Sequence, residues 1–306
     1  MMSNPRSLEP DPSVIGGVSK PPFVRLPDPA ALFARRVARL RSLAVGDLAP
    51  YLAFLADLTD AQAAIVPSLA EPQLPSPDVL GRARAFAMPP LDRTAFASDK
   101  EARGACWDLF ETLADVAKPA AAETALAKLR VPDDRTLDGV IGAVLANETS
   151  SEDLAAYVLT AAGLQVHFAR LASRIDASTL GPVGVGACPV CGGAPAASLV
   201  VGWPGAEGAR YGACALCGTL WNEVRVKCLV CGSTKGIGLQ EVEGQGGTIK
   251  AETCDECHSY VKVLYQDKDA AIEPLADDVA SLGLDQLMSG GGEYRRAGVN
   301  PFLAGY

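Results

Sequence analysis

The sequence predicts a multidomain chain of α and small-β parts: an all-α N-terminal domain, two tandem zinc-ribbon modules and a C-terminal helix. Three observations predict it. Apolar residues recur at helical spacing through the first 175 residues, with abundant alanine and few β-branched runs. The stretch GPVGVG at 181–186 breaks that pattern. Beyond it, eight of the nine cysteines form four Cys-x-x-Cys pairs among short β-prone runs and glycine turns. The expected divisions are 1–180 (helical, with an extended N-terminal arm), 181–225 (first metal module), 226–270 (second) and 271–306 (final helix and tail).

Residues 1 to about 27 are rich in Pro, Gly and Ser and read as an extended arm. Asp28-Pro29 suits a helix start, with a capping carboxylate and proline at the first helical position. Leu32, Phe33, Val37, Leu40 and Leu43 follow at helical spacing, with four arginines between them. Arg35-Arg36 is too deep in the chain and too far from any apolar stretch for a twin-arginine export signal, and reads as a solvated helix face. A second helix runs from Gly46, with Leu48, Leu52, Leu55, Leu58 and Ile65 on one face. Further helices are expected over 100–118, 120–129, 137–146 and 151–175, the last announced by Ser151-Glu152-Asp153. Strands are expected at 197–201, 220–226 and 260–265, and a closing helix at 279–288.

The cysteines carry the chemistry. Adding 40 to 188, 191, 214 and 217 yields 228, 231, 254 and 257, so each half reads C-x2-C-x22-C-x2-C, a duplicated unit. Two residues between thiols let one turn aim both sulfurs at one tetrahedral ion, and two such knuckles complete its shell. Glycine follows three knuckles, as Gly192, Gly218 and Gly232, where it relieves turn strain. The predicted ligands are Cys188, Cys191, Cys214 and Cys217 for one ion and Cys228, Cys231, Cys254 and Cys257 for a second, zinc or iron. A crossed arrangement, pairing the first knuckle with the third and the second with the fourth, is the open alternative. Small ribbons need their metal to fold, so losing one ligand is expected to unfold its own ribbon and spare the helices.

Other chemistries are poorly served. No thioredoxin-like helix follows Cys188 or Cys228, which argues against a redox dithiol. The net charge is −9, and 183–265 holds six Lys or Arg against seven Asp or Glu, so no basic groove for nucleic acid is expected. The chain has two histidines, too few for most acid–base constellations. His167 reads as a structural histidine, His258 as a neighbour of an already complete ligand set, and Cys106 as a small buried apolar residue. The start lacks an apolar signal region and no run of about 18 apolar residues exists, so a cytoplasmic chain without membrane insertion is expected.

Cys188-Pro-Val-Cys-Gly, Arg210-Tyr211, CALCGTLWNEVRVKCLVCGSTKGI (214–237), AETCDECHSYVKVLYQDKD (251–269), AIEPLADDVASLGLD (271–285) and Asn300-Pro301-Phe302-Leu303 together resemble the FdhE family of formate dehydrogenase accessory proteins. The helical start, LFARRVARLRSLA then LAPYLAFLADLTDAQ, is similar as well. Asn222 stands where the family pattern is expected to have histidine. The resemblance implies a helical domain with two rubredoxin-like modules that bind iron or zinc. It also implies a non-enzymatic cytoplasmic factor that binds the catalytic subunit of respiratory formate dehydrogenase and is needed for its activity. A redox or sulfur-handling dithiol protein is the alternative function. A homodimer is compatible with the sequence; nucleic acid is not an expected partner.

Overall fold

The computed structural model describes residues 21–131, 133–148, 153–244 and 246–305. Residues 1–20, most of the predicted arm, and Ser151 and Glu152 of the predicted start signal lie outside them. Helix α1 (Pro29–Leu43) starts as its sequence requires: Asp28 accepts from the Ala31 amide, with Pro29 at the first helical position. Its buried face is Phe33, Arg36, Val37 and Leu40. The solvated reading of Arg35-Arg36 is therefore corrected at Arg36. That guanidinium is 2% exposed and pairs with Glu273 at 3.0 Å, because the chain's C-terminal part packs over this face.

Helices α2 (Ala49–Ile65), α3 (Pro77–Ala85), α4 (Lys100–Thr112), α5 (Ala120–Leu129), α6 (Asp134–Ala146) and α7 (Leu154–Ala172) follow. α7 is the hub: its residues from Tyr157 to Ala169 are all buried, and α4, α5 and α6 pack on it. It has the length and hydropathy of a membrane span, but it is mostly buried inside the protein, as a core helix is. Gly163 permits the crossing with α4, since a Cβ there would stand 2.7 Å from the Cys106 Cα. Cys106 is fully buried, and burial pushes its thiol far above the ordinary range.

His167 on α7 is also a core residue. Its ring lies edge-on to Phe96 and Phe168, and Nε2 sits 3.8 Å from the Asp99 carboxylate. Burial drives its pKa down to about 4. The unfolded chain therefore takes up this proton first, near pH 6.5. The stability held above pH 6.5 falls as the pH drops toward 4 and loses no more below it. Between pH 7 and 5 the expected loss is about 2 kcal/mol. Urea midpoints measured across that range should fall less steeply in His167→Leu than in the parent chain.

The second half builds one sheet. Its strands are β1 (Val24–Arg25), β2 (Pro195–Val200), β3 (Arg210–Cys214), β4 (Leu220–Glu223), β5 (Ile237–Gln240), β6 (Ile249–Cys254), β7 (Ser259–Tyr265) and β8 (Arg295–Arg296). The order is β1-β4-β3-β2-β7-β6-β5, with β8 beside β7. The 40-residue repeat extends to these strands: β2, β3 and β4 shifted by 40 fall on β5, β6 and β7. Each repeat is an antiparallel three-stranded unit, and the two units join side by side through the parallel pairing of β2 with β7. The predicted strand at 220–226 ends at Glu223, where the chain leaves the sheet and exposes Val224 and Val226. The predicted arm contributes β1, which pairs with β4.

The closing helix expected at 279–288 is instead two helices meeting at Ser281: α8 (Pro274–Ala280), capped by Glu273, and α9 (Leu282–Gly291). Both lie against the rest of the chain through charges. Arg39 of α1 grips Asp277 and Asp269. A single apolar core then runs across residue 181. It contains Phe33, Leu55, Phe168, Leu275 and Phe302 together with Cys188, Cys191, Cys214, Cys217 and Trp221.

Candidate metal centres

Three of the four knuckles are turns closed by two backbone bonds. The Gly192 amide donates to the Cys188 carbonyl at 2.8 Å, and the Cys188 amide donates to Gly193 at 2.8 Å. The same pair recurs as Gly218 to Cys214 with Cys214 to Thr219, and as Gly232 to Cys228 with Cys228 to Ser233. All three glycines sit at φ between +72° and +78°, a region a Cβ disfavours. The fourth knuckle has His258 at the equivalent place, with φ +48°. His258 is exposed and stands outside both sulfur groups, its ring tilted against Tyr294.

The turns gather the eight predicted cysteines into two groups, divided as the repeat divides them: Cys188, Cys191, Cys214 and Cys217, and then Cys228, Cys231, Cys254 and Cys257. Within each group the sulfurs all lie within 4.8 Å of one another, and knuckles do not cross between repeats. Sulfurs from opposite knuckles approach to 3.6 Å (Cys188, Cys217) and 3.4 Å (Cys191, Cys214) in the first group, and to 3.7 Å for both such pairs in the second. A tetrahedron of thiolates about 2.3 Å from a central ion has edges of about 3.8 Å. Both groups fit such an ion, and the all-sulfur donor set suits zinc or iron. Burial, with the neighbouring sulfurs, holds the Cys188 thiol well above its ordinary range, while hydrogen bonds from Cys188, Cys191 and Cys217 hold Cys214 well below it. Four buried sulfurs ionise together only against a cation.

The surroundings of the two groups differ. The first is fixed from the helical side. Gln165 of α7 donates to the Ala215 carbonyl at 2.8 Å, inside the second knuckle, and is itself held by Gln62 and Arg36. The Leu91 amide donates to the Val190 carbonyl, inside the first knuckle. The Thr219 hydroxyl lies 3.2 Å from the Cys217 sulfur. The second group is braced from the sheet. Buried Arg210 on β3 pairs with Glu252 on β6 at 2.7 Å and donates to the Lys227 carbonyl, one residue before Cys228. Asn222 donates its side-chain amide to the Arg210 carbonyl and so helps hold β4 to β3. Sequence reasoning missed Gln165 and Arg210 as positioning residues. Gln165 had one visible signal, the lone amide side chain in a mostly apolar helix.

Comparison with known proteins agrees along the whole chain. Family models described as "FdhE, N-terminal", "FdhE, central domain" and "FdhE, C-terminal domain" match residues 21–185, 187–225 and 226–303. A Rhizobium meliloti protein named "Protein FdhE homolog" is 52% identical over 302 residues, 98% of each chain. The Escherichia coli K12 "Protein FdhE" is 36% identical over 285 residues, 89% of this chain and 88% of that one. The crystal structure of the FdhE protein from Pseudomonas aeruginosa superposes with a TM-score of 0.83 at 29% identity, covering 93% of this chain and 99% of that one. With both cysteine repeats and the helical part inside the matched spans, the chain belongs to the FdhE family.

Proposed function

We propose that this chain is a non-enzymatic maturation factor that binds the catalytic subunit of respiratory formate dehydrogenase in the cytoplasm and is needed for that enzyme's activity. The observation that carries the reading is family membership over nearly the full length, with both four-sulfur groups intact. Cys188, Cys191, Cys214 and Cys217 would hold one iron or zinc ion, and Cys228, Cys231, Cys254 and Cys257 a second, in two rubredoxin-like modules. Bound ions cross-link the knuckles and fix the surface between them. Gln165 and Arg210 position the turns, and the helices supply further partner surface.

Deleting the gene is expected to abolish formate oxidation while transcripts of the enzyme stay unchanged. The protein should co-purify with the catalytic subunit from the cytoplasmic fraction, and the mass of that complex will count one copy or a homodimer. Normal formate oxidation in the deletion strain, or no association even under crosslinking, would overturn the reading. Alkylation of the metal-loaded protein separates it from a sulfur-handling dithiol, which would react at once without loss of an ion.

A further inference from the structure

The two sulfur groups come from one duplicated unit and have nearly the same sulfur spacing, yet only one is shut in. In the first group every cysteine is between 0% and 2% exposed. Each of its knuckles faces a wall. A Cβ at Gly192 would meet Pro89 at 3.1 Å, and one at Gly218 would meet Leu32 of α1 at 2.7 Å. Val190, at the tip of the first knuckle, is fully buried. In the second group Cys228 and Cys254 are buried, Cys257 is partly exposed and Cys231 is exposed. The knuckle glycine there, Gly232, faces Val185, itself 55% exposed, and the flexible Lys227 side chain. Asp255, Glu256 and His258 around Cys257 are exposed too.

We propose that the second centre is an exchange site, which takes up and releases a divalent ion in the folded protein, while the first keeps its ion for the life of the fold. This rests on the reading that both groups bind metal. Exchange at a four-thiolate ion proceeds by substitution. An incoming donor, a thiolate or a chelator's nitrogen or oxygen atom, forms a bond to the ion as the bond to one cysteine sulfur breaks, and replacement of the other three sulfurs in the same way frees the ion. Each freed thiolate takes a proton from water, and the ion keeps its oxidation state. Such a donor can approach from solvent at Cys231. At the first group it meets Pro89, Leu32 and the apolar core, and can enter only when that core opens.

The test uses the full-length protein loaded with zinc, its content fixed beforehand by elemental analysis. Excess pyridylazoresorcinol is added, and chelator absorbance and far-ultraviolet circular dichroism are followed together. One equivalent of zinc should leave at least tenfold faster than the other, with the helical signal unchanged. Alkylation at the end of the fast phase, read by peptide mass spectrometry, should mark Cys228, Cys231, Cys254 and Cys257 and spare Cys188, Cys191, Cys214 and Cys217. Two equivalents leaving in one phase, or labels on the first group in the fast phase, would overturn the exchange site and leave metal binding standing. Loaded protein that holds no zinc would overturn the metal reading, and the exchange site with it.

Discussion

Cys191→Ser is expected to unfold the helices along with the first ribbon, whereas Cys231→Ser leaves them folded. The boundary read near residue 181 led to the expectation that either change would spare the helices. The core that crosses this boundary separates the two outcomes. Cys188, Cys191, Cys214 and Cys217 pack in the same cluster as Phe33, Leu55 and Phe168, and Gln165 ties α7 to a knuckle carbonyl. Structural zinc sites contribute about 10–16 kcal/mol of apparent folding free energy in small peptides. A whole domain is stable by about 5–15 kcal/mol. A ribbon that loses its ion inside this core removes one wall of the core. Cys231 is exposed and its sulfur group lies outside that core, so the damage is expected to stay in the second ribbon. Thermal melts followed at 222 nm decide it: a lost or strongly lowered helical transition for Cys191→Ser, and a near-parental one for Cys231→Ser. Equal melts for the two variants would show that the shared core does not couple them.

Lys262→Met is expected to cost about 3–5 kcal/mol, the usual result of breaking a buried ion pair from one side. Lys262 on β7 lies 3.2 Å from Asp278 and 2.5 Å from Asp285, and Arg296 lies 2.6 Å from each of those carboxylates. Tyr260 donates to Asp285, and Asn300 to Asp278. Two cations thus balance two anions in a region where Lys262 and Asp278 are at most 2% exposed. Burial alone would raise the Asp278 carboxyl; Lys262 and Arg296, with Asn300, hold it below its ordinary value. Removing the ammonium leaves two carboxylates against one guanidinium. Since the network clamps α8 and α9 to the sheet, urea unfolding should show the loss together with earlier proteolysis of residues 274–291. Lys262→Met with Asp285→Asn restores the charge balance and should recover part of the stability. A single variant as stable as the parent would mean that water reaches the cluster.

Local signals in the sequence read well, and long-range ones did not. Asp28-Pro29 marked the start of α1, and alanine-rich periodicity marked α5 over its full 120–129 span. The cysteine arithmetic separated the two sulfur groups, because a knuckle is a local turn and the repeat copies a whole ligand set. α3 escaped because it buries only Ala83 and so has no apolar stripe, although Ser76-Pro77 carries a cap signal. β3 escaped because RYGAC is buried at every position and shows no alternation. The repeat could have found β5, by shifting the predicted strand at 197–201 by 40, whereas β6 escaped together with β3. Nothing local announces that β2 pairs with β7 some 60 residues later, or that Leu32 and Pro89 wall in the first group. The break at Ser281 depends on where Lys262 reaches, since it donates to the Asp278 and Ser281 carbonyls.

The parallel joint between β2 and β7 relates the two ribbons by translation, and translation has no natural stopping point. A rotational pair would bring like edge against like edge and close. Here the first strand of one unit meets the last strand of the next, so the outward edges, β4 and β5, are the same two kinds of edge that form the joint. Left bare, they would let one molecule add to another by that joint and grow a ribbon filament. At one end the two residues of β1 occupy β4, with Val24 opposite Trp221, and Tyr211 donates to the Pro22 carbonyl to hold the approach. At the other end β5 stays uncovered over its four residues, but the edge it would need, a β4 of another copy, is already taken. The stretch before α1 thus occupies the one edge to which a second copy's β5 could add by that joint.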